Sequence, residues 1–410
     1  MSFAIGVTLF AVALLLSVAW HECGHMWAAQ ATGMKVRRYF VGFGPTIWST
    51  RRGETEYGIK ALPLGGFCDI AGMTPHEELA WDEKDRAMYK QKAWKRLVVL
   101  FAGPAQNFLL GFVLIIIVGL TFGLPNLNPG PTPARVAETQ CVPATSTIVD
   151  GEKKDAPCAA GTGPAEVAGL LPGDDIVAIN GQPVDRASDL TPVIRESAGP
   201  VALTVDRDGQ RLDLTMTPEP TTVTTTNADG TSETQTYNMV GIAYDVPPTV
   251  ITYSGFEIVP GAIGFTGDLF VETWNALLSL PSKIGALWTA VTGGERALDT
   301  PVSVYGASVL GGQAVERGLW DLFWMLLISI NFFLGLFNLV PLLPLDGGHM
   351  AIVGYEKGRD TVRRWFGRAP GGAVDYYKLL PITYAAVVIM AGFMVLTLTA
   401  DIINPINPWQ

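Results

Sequence analysis

His21-Glu22-Cys23-Gly24-His25 closes an apolar run, Phe3–Trp20, that contains no Asp, Glu, Lys or Arg. On a helix, positions four apart share a face. His21 and His25 can therefore grip one metal ion, while Glu22, the next residue, stands beside the water that such an ion activates. The apolar run is long enough to cross about 30 Å of hydrocarbon. Together they point to metal-assisted hydrolysis carried out within a membrane.

Composition agrees. Of 410 residues only 16% are charged while 49% are hydrophobic, and the charged share lies well below the roughly 25% of soluble domains. Three further charge-free stretches reach spanning length, Leu97–Leu120, Leu322–Leu345 and Leu379–Ala400. Phe3–Trp20 has no basic flank before it and no small-residue cleavage site, so it reads as a span and not as a removed signal peptide. The segment Thr32–Arg96 carries 12 Lys/Arg against 8 Asp/Glu, whereas Thr121–Asp321 carries 10 against 24. Short basic loops stay in the cytoplasm, which puts both termini and the long acidic segment outside. No basic patch with interleaved aromatics is present, so nucleic acid is not an expected partner. Cys141 and Cys158 fall in the outer segment, where an oxidising compartment favours a disulfide, with four unpaired cysteines as the alternative. Cys23 and Cys68 are expected as free thiols.

The expected fold is an α-helical membrane protein with four transmembrane helices, a small cytoplasmic membrane-associated β-sheet and an extracytoplasmic α+β domain. The expected segments are 1–33, 34–96, 97–124, 125–248, 249–320, 321–350, 351–378 and 379–410. Lys35–Gly72 is rich in β-branched and aromatic residues, with a hairpin turn at Arg51-Arg-Gly-Glu54 and an edge strand at Leu64–Ile70. Thr74–Lys95 reads as a surface loop followed by a helix entering span two. Gly163–Val184 reads as a short helix, a Pro-Gly turn, a strand and an Asn-Gly turn. A second helix is expected over Asp189–Ser197, and a hairpin around Arg207-Asp-Gly-Gln210. Pro220–Tyr237, with Asn227-Ala-Asp-Gly230, is expected as an inserted hairpin or loose loop. Ile258–Gly294 reads as an amphipathic helix on the outer membrane surface or one buried against the domain.

A catalytic metal site with one open position needs a third protein ligand. Besides His21 and His25 the chain has only His76 and His349. Span one runs from outside to inside and brings His21 about 27 Å from its start. Span three runs the same way and delivers Asp346 at the same depth, beyond the helix-breaking Pro341 and Pro344. Asp346 is thus the first choice, with His349 as competitor. Two imidazoles and a carboxylate also suit non-haem iron(II); the spacing with its adjacent Glu favours a single zinc ion. Glu22 would move the proton from water to the leaving amide nitrogen. Asn107 and Asn338, polar groups in spans two and three, are suited to holding substrate backbone; for Gly103 and Pro104 a helix-packing notch suffices.

His21-Glu-Cys-Gly-His25, Phe101-Ala-Gly-Pro-Ala-Gln-Asn107 and Asn338-Leu-Val-Pro-Leu-Leu-Pro-Leu-Asp-Gly-Gly-His349 resemble the three signatures of the site-2 protease family of intramembrane zinc metalloproteases, and Gly163–Val184 resembles a PDZ domain. The order resembles the regulator-of-sigma-E protease branch, from Phe3 to span four. The resemblance implies zinc on His21, His25 and Asp346, Glu22 as base, and substrate contacts from Asn107, Asn338 and the Gly65-Gly66-Phe67 strand. It implies single-pass membrane substrates already trimmed by a site-1 protease, notably anti-sigma factors, and remnant signal peptides, in the cell membrane. The chain departs from two-PDZ members in having one such domain and the Cys141–Cys158 insertion. A silent PDZ scaffold that recruits partners by strand addition, or more remotely a metal transporter, is the alternative; the complete His-Glu-His-Asp set argues against a scaffold.

Overall fold

Helix α1 (Ser2–Ala31) carries the apolar run and the two histidines without interruption over 30 residues, about 45 Å of helix. The computed structural model describes residues 1–149, 152–158, 162–226 and 232–408. Beyond the end of α1, Gly33 takes a φ of +84°, a left-handed conformation that glycine adopts without a Cβ penalty.

Strands β1 (Val36–Arg52) and β2 (Thr55–Ile70) pair antiparallel about Gly53. Both bend, so four extended pieces lie side by side in the order 66–70, 36–41, 55–60 and 46–52. Residues 66–70 have a strand partner on one side only among the described residues, which makes them the expected edge. The inner half packs Val36 and Ile70 against Met26, Ala29, Met88, Val99, Leu100 and Val353. The outer half leaves Ile47, Trp48, Ile59 and Leu62 exposed.

The segment after β2 is pinned more firmly than a surface loop would be. Arg37 donates to Glu83 at 2.9 and 2.6 Å and also pairs with Glu77, while Lys35 meets Asp82 at 2.6 Å. Glu83 and Met88 are buried. The Arg37 guanidinium holds the Glu83 carboxyl down at about 2.

Helix α2 (Ala93–Thr121) contains Pro104. The chain divides into two compact units, Met1–Leu124 with Ile251–Trp409, and Pro125–Val250.

In the second unit α3 (Pro164–Val167) and α4 (Ala187–Glu196) accompany a four-stranded sheet ordered Gln210–Met216, Val201–Arg207, Asp175–Ile179, Gln182–Pro183. Its core holds Leu170, Ile176, Ile179, Leu190, Leu203, Val205 and Met216. The turn at Asp208-Gly209 and that at Asn180-Gly181 both have positive φ, as two-residue hairpins require. Strand Ile242–Tyr244 pairs with Val136–Thr139. A second sheet is ordered Ser232–Met239, Glu219–Thr226, Thr145–Val149, Glu152–Asp155. The Thr-rich stretch is thus a paired hairpin, held by Thr222–Thr236 and Thr224–Thr234 hydroxyl contacts of 3.0 and 3.1 Å; the Asn227-Ala-Asp-Gly230 turn lies outside the described residues. Cys141 and Cys158 are bonded, with Cα atoms 6.1 Å apart, and Cys23 and Cys68 are free.

The first unit continues with α5 (Ile258–Val291), α6 (Val304–Glu316), α7 (Trp320–Asn338), α8 (Asp346–Trp365) and α9 (Leu380–Ile403). Among the described residues, four helices are long and apolar enough to cross a membrane: Ser2–Ala31, Ala93–Thr121, Trp320–Asn338 and Tyr376–Ile403. Side-chain pairs give their directions. Phe10 meets Phe323, Ser17 meets Asn331 and His21 meets Asp346, so α1 and α7 run parallel. His25 meets Val99 and His21 meets Asn107, so α2 runs against α1.

Two expectations change. The 258–294 segment is no surface helix: Phe270 of α5 packs between Phe108 of α2 and Phe332 of α7, centroids 4.8 and 5.5 Å away. Its buried positions Phe265, Leu269 and Thr273 are four apart, a helical stripe that the neighbouring spans satisfy. The 351–378 loop is largely helix, because α8 runs on to Trp365. Ile352, Val353 and Glu356 form its buried face.

Candidate metal centre

The site is assembled where α1, α2 and α8 meet. The four-residue spacing puts His21 and His25 on one face of α1, with Nε2 atoms 3.1 Å apart. Span three stops at Asn338, and residues 339–345, with Pro341 and Pro344, have no regular helix before α8 begins at Asp346. A proline removes a donor and disfavours helix for the residue before it, so the break is written locally. It sets Asp346 Oδ2 3.3 Å from both Nε2 atoms. Among the described residues, His21, His25 and Asp346 form the group that could hold a metal ion.

The donor set fits zinc. Ligand atoms about 2.0–2.1 Å from a tetrahedral ion lie about 3.3 Å from each other, close to the three separations found. Helix α2 leaves the room. A Cβ on Gly103 would come within 2.3 Å of His25 Nε2 and 2.7 Å of His21 Nε2. A Cβ on Gly24 would come within 2.3 Å of the Ala102 carbonyl oxygen. Gly103 is therefore more than a helix-packing notch, since any side chain there would occupy the space beside both imidazoles.

Both rings are held from behind. His25 Nδ1 lies 2.8 Å from the Val99 carbonyl oxygen, and His21 Nδ1 lies 3.2 Å from Asn107 Nδ2. Glu22 is half-buried, and a Cβ on Gly66 would stand 3.5 Å from its Cγ. Gly65 takes a φ of +139°, and Phe67 stacks on Phe40 at 5.7 Å. The strand Gly65–Phe67 is thus beside Glu22.

The remaining candidates separate. Asn338 is the last residue of α7 and half-buried. His349 points elsewhere, with Nδ1 3.3 Å from the Tyr376 hydroxyl. His76 is on the surface, 3.1 Å from Asp375.

Several residues escaped the sequence reading. Asn331 is fully buried and donates to Ser17 Oγ at 3.1 Å, one turn from His21. It is a polar residue in an apolar span, the same signal that singled out Asn107. The buried pair Arg96–Glu356, 2.6 Å, ties α2 to α8 across 260 residues, and the buried pair Arg296–Asp401 ties the segment before α6 to the end of α9. Neither carries a local sequence signal.

Comparison with known proteins bears on this arrangement. The model of peptidase family M50 matches residues 9–366. The chain is 50% identical over 416 residues to zinc metalloprotease Rip1 of Mycolicibacterium smegmatis, and 49% identical over 412 residues to zinc metalloprotease Rip1 of Mycobacterium tuberculosis, covering all of each chain. It is 26% identical to regulator of sigma-E protease RseP of Salmonella typhimurium, over 85% of this chain and 90% of that one. A family model spanning most of the chain, full-length relatives of that kind and a His-His-Asp cluster among membrane-length helices lead to one conclusion: the chain belongs to peptidase family M50, the site-2 protease family, and is a membrane zinc metalloprotease.

Proposed function

We propose that the enzyme hydrolyses a peptide bond within the membrane-spanning segment of single-pass membrane proteins, as a step of regulated intramembrane proteolysis. The observation that carries this is the position of the three donor atoms. They converge within 4.8 Å, two on the membrane-length helix α1 and one just past the break that ends α7, beside the edge of a sheet that leaves apolar side chains exposed.

In this reading His21, His25 and Asp346 hold zinc. The bound ion supplies Lewis acidity, lowering the pKa of water and polarising the scissile carbonyl. Glu22 takes the proton of the attacking water and delivers it to the leaving amide nitrogen as the C–N bond breaks. An intact substrate helix hides its carbonyls, so it must unwind. Residues 66–70 offer the unwound segment backbone partners by strand addition. We assign to Asn338, at the end of α7, the holding of a freed backbone group.

The basic loops face the cytoplasm in this proposal, and both termini and the 125–248 region, read as a PDZ domain, lie outside; the charge asymmetry supports it. The name of the Salmonella relative concerns sigma-E regulation. By likeness we infer an anti-sigma factor as substrate, first cut outside by a site-1 protease, with remnant signal peptides as a further class. The test is to incubate the purified chain in lipid nanodiscs with a trimmed single-pass substrate and map the cut by mass spectrometry. The proposal expects a cut inside the apolar segment. Cleavage confined to residues outside it refutes the proposal.

A further inference from the structure

Asn107 has a neighbour that is part of the site itself. Its side chain is 1% exposed, with Nδ2 3.2 Å from His21 Nδ1, while its Oδ1 is buried with no hydrogen-bond partner. An amide can present either oxygen or nitrogen at the same place by a half-turn, and two facts select the oxygen here. A neutral imidazole carries one N–H, so a His21 ring that accepts at Nδ1 has its proton on Nε2 and no lone pair left there for a metal. Turning the amide sets Oδ1 against Nδ1–H and frees Nε2 for the metal. The second histidine supplies the pattern. His25 Nδ1 faces the Val99 carbonyl at 2.8 Å, and a carbonyl can only accept, so that ring also carries its proton on Nδ1 and turns Nε2 to Asp346.

On this geometry we propose that Asn107 is a positioning residue of the metal site. Its Oδ1 accepts from His21 Nδ1–H and fixes the tautomer and ring plane that present Nε2 to zinc. Asn107 lies one helical turn beyond Gly103 on the same face of α2. That face gives the site a floor without a side chain, an orienting amide for one imidazole and, through Val99, an orienting carbonyl for the other, yet no ligand. The inference rests on His21, His25 and Asp346 being the zinc ligands, and it moves Asn107 from the substrate to the metal.

The test measures zinc affinity of the full-length chain by competition with a chromogenic chelator, independently of cleavage. Asn107→Ala, Asn107→Asp and Asp346→Ala are compared with wild type. Loss of an outer partner typically weakens metal binding 10–100-fold. Asn107→Ala is expected to fall in that range. Asn107→Asp, which keeps an acceptor of the same size, should stay within about threefold of wild type. Asp346→Ala should lose zinc. Unchanged zinc affinity in Asn107→Ala, with zinc lost in Asp346→Ala, would overturn the positioning role and leave the ligand set standing; a raised KM alongside would return Asn107 to the substrate. Asn107→Asp falling as far as Asn107→Ala would overturn it too. Unchanged zinc in Asp346→Ala would overturn the ligand set itself.

Discussion

Gly66 stands directly against Glu22: a Cβ on the glycine would lie 3.5 Å from Glu22 Cγ and 3.0 Å from the Phe40 carbonyl oxygen. The sheet edge and Glu22, the proposed general base, are therefore neighbours, and a substrate strand added at residues 66–70 would bring its backbone to the carboxylate. Gly66→Ala is expected to lower kcat/KM about tenfold, since small displacements of a bound backbone are costly in rate, and to leave zinc content at the wild-type level. Peptide cleavage and metal analysis on the same sample check this. Unchanged kcat/KM would separate the sheet edge from catalysis.

Helix α8 starts with Asp346, and ten residues on Glu356 accepts from Arg96 Nη1 at 2.6 Å and from the Val374 amide at 2.8 Å. Removing one member of a buried ion pair leaves the other uncompensated, at about 3–5 kcal/mol. Glu356→Ala should therefore lower Tm markedly and weaken zinc binding, because α8 carries Asp346, the proposed third ligand. Replacing both residues by Met should recover most of the stability. Thermal melts of the two variants decide it; an equal loss in both would show that the pair's charge is not what matters.

Much of this arrangement was legible in the chain. The four spans, the parallel course of spans one and three, and the meeting of Asp346 with His21 and His25 follow from apolar length and the helix repeat, which are local properties. The edge strand, expected at Leu64–Ile70 and found paired over residues 66–70, was legible from β-branched and aromatic composition with glycine punctuation, also a local property. What escaped depends on residues distant in sequence. Nothing near Arg96 announces Glu356. The charged Asp268 and Glu272 concealed that α5 would pack among the spans, since one buried stripe suffices for that. Gly103 looked like a packing notch because the imidazoles above it come from another helix.

The Arg37–Glu83 contact makes the β-element acid-sensitive. Glu83 is lowered from 4.5 to about 2 by hydrogen bonds from Arg37. A folded-state pKa below the unfolded one stabilises above the unfolded value, so this contribution is complete above about pH 4.5 and fades as pH falls towards 2. The protection factor over residues 74–90, with intrinsic exchange at each pH divided out, should fall across that window in wild type. Glu83→Gln should exchange faster throughout, with a loss on the order of 2 kcal/mol, and without that pH dependence. Identical profiles would remove Glu83 from the account.

In the proposed reaction Glu22 moves the proton in a cut made inside the membrane. The direct measurement is cleavage of a single-pass substrate in nanodiscs by wild type and Glu22→Gln at equal, verified zinc content. The expected result is a product cut within the apolar segment by wild type, and a rate about 10²–10⁴-fold lower in the variant. Cleavage by zinc-loaded Glu22→Gln at the wild-type rate would contradict the account.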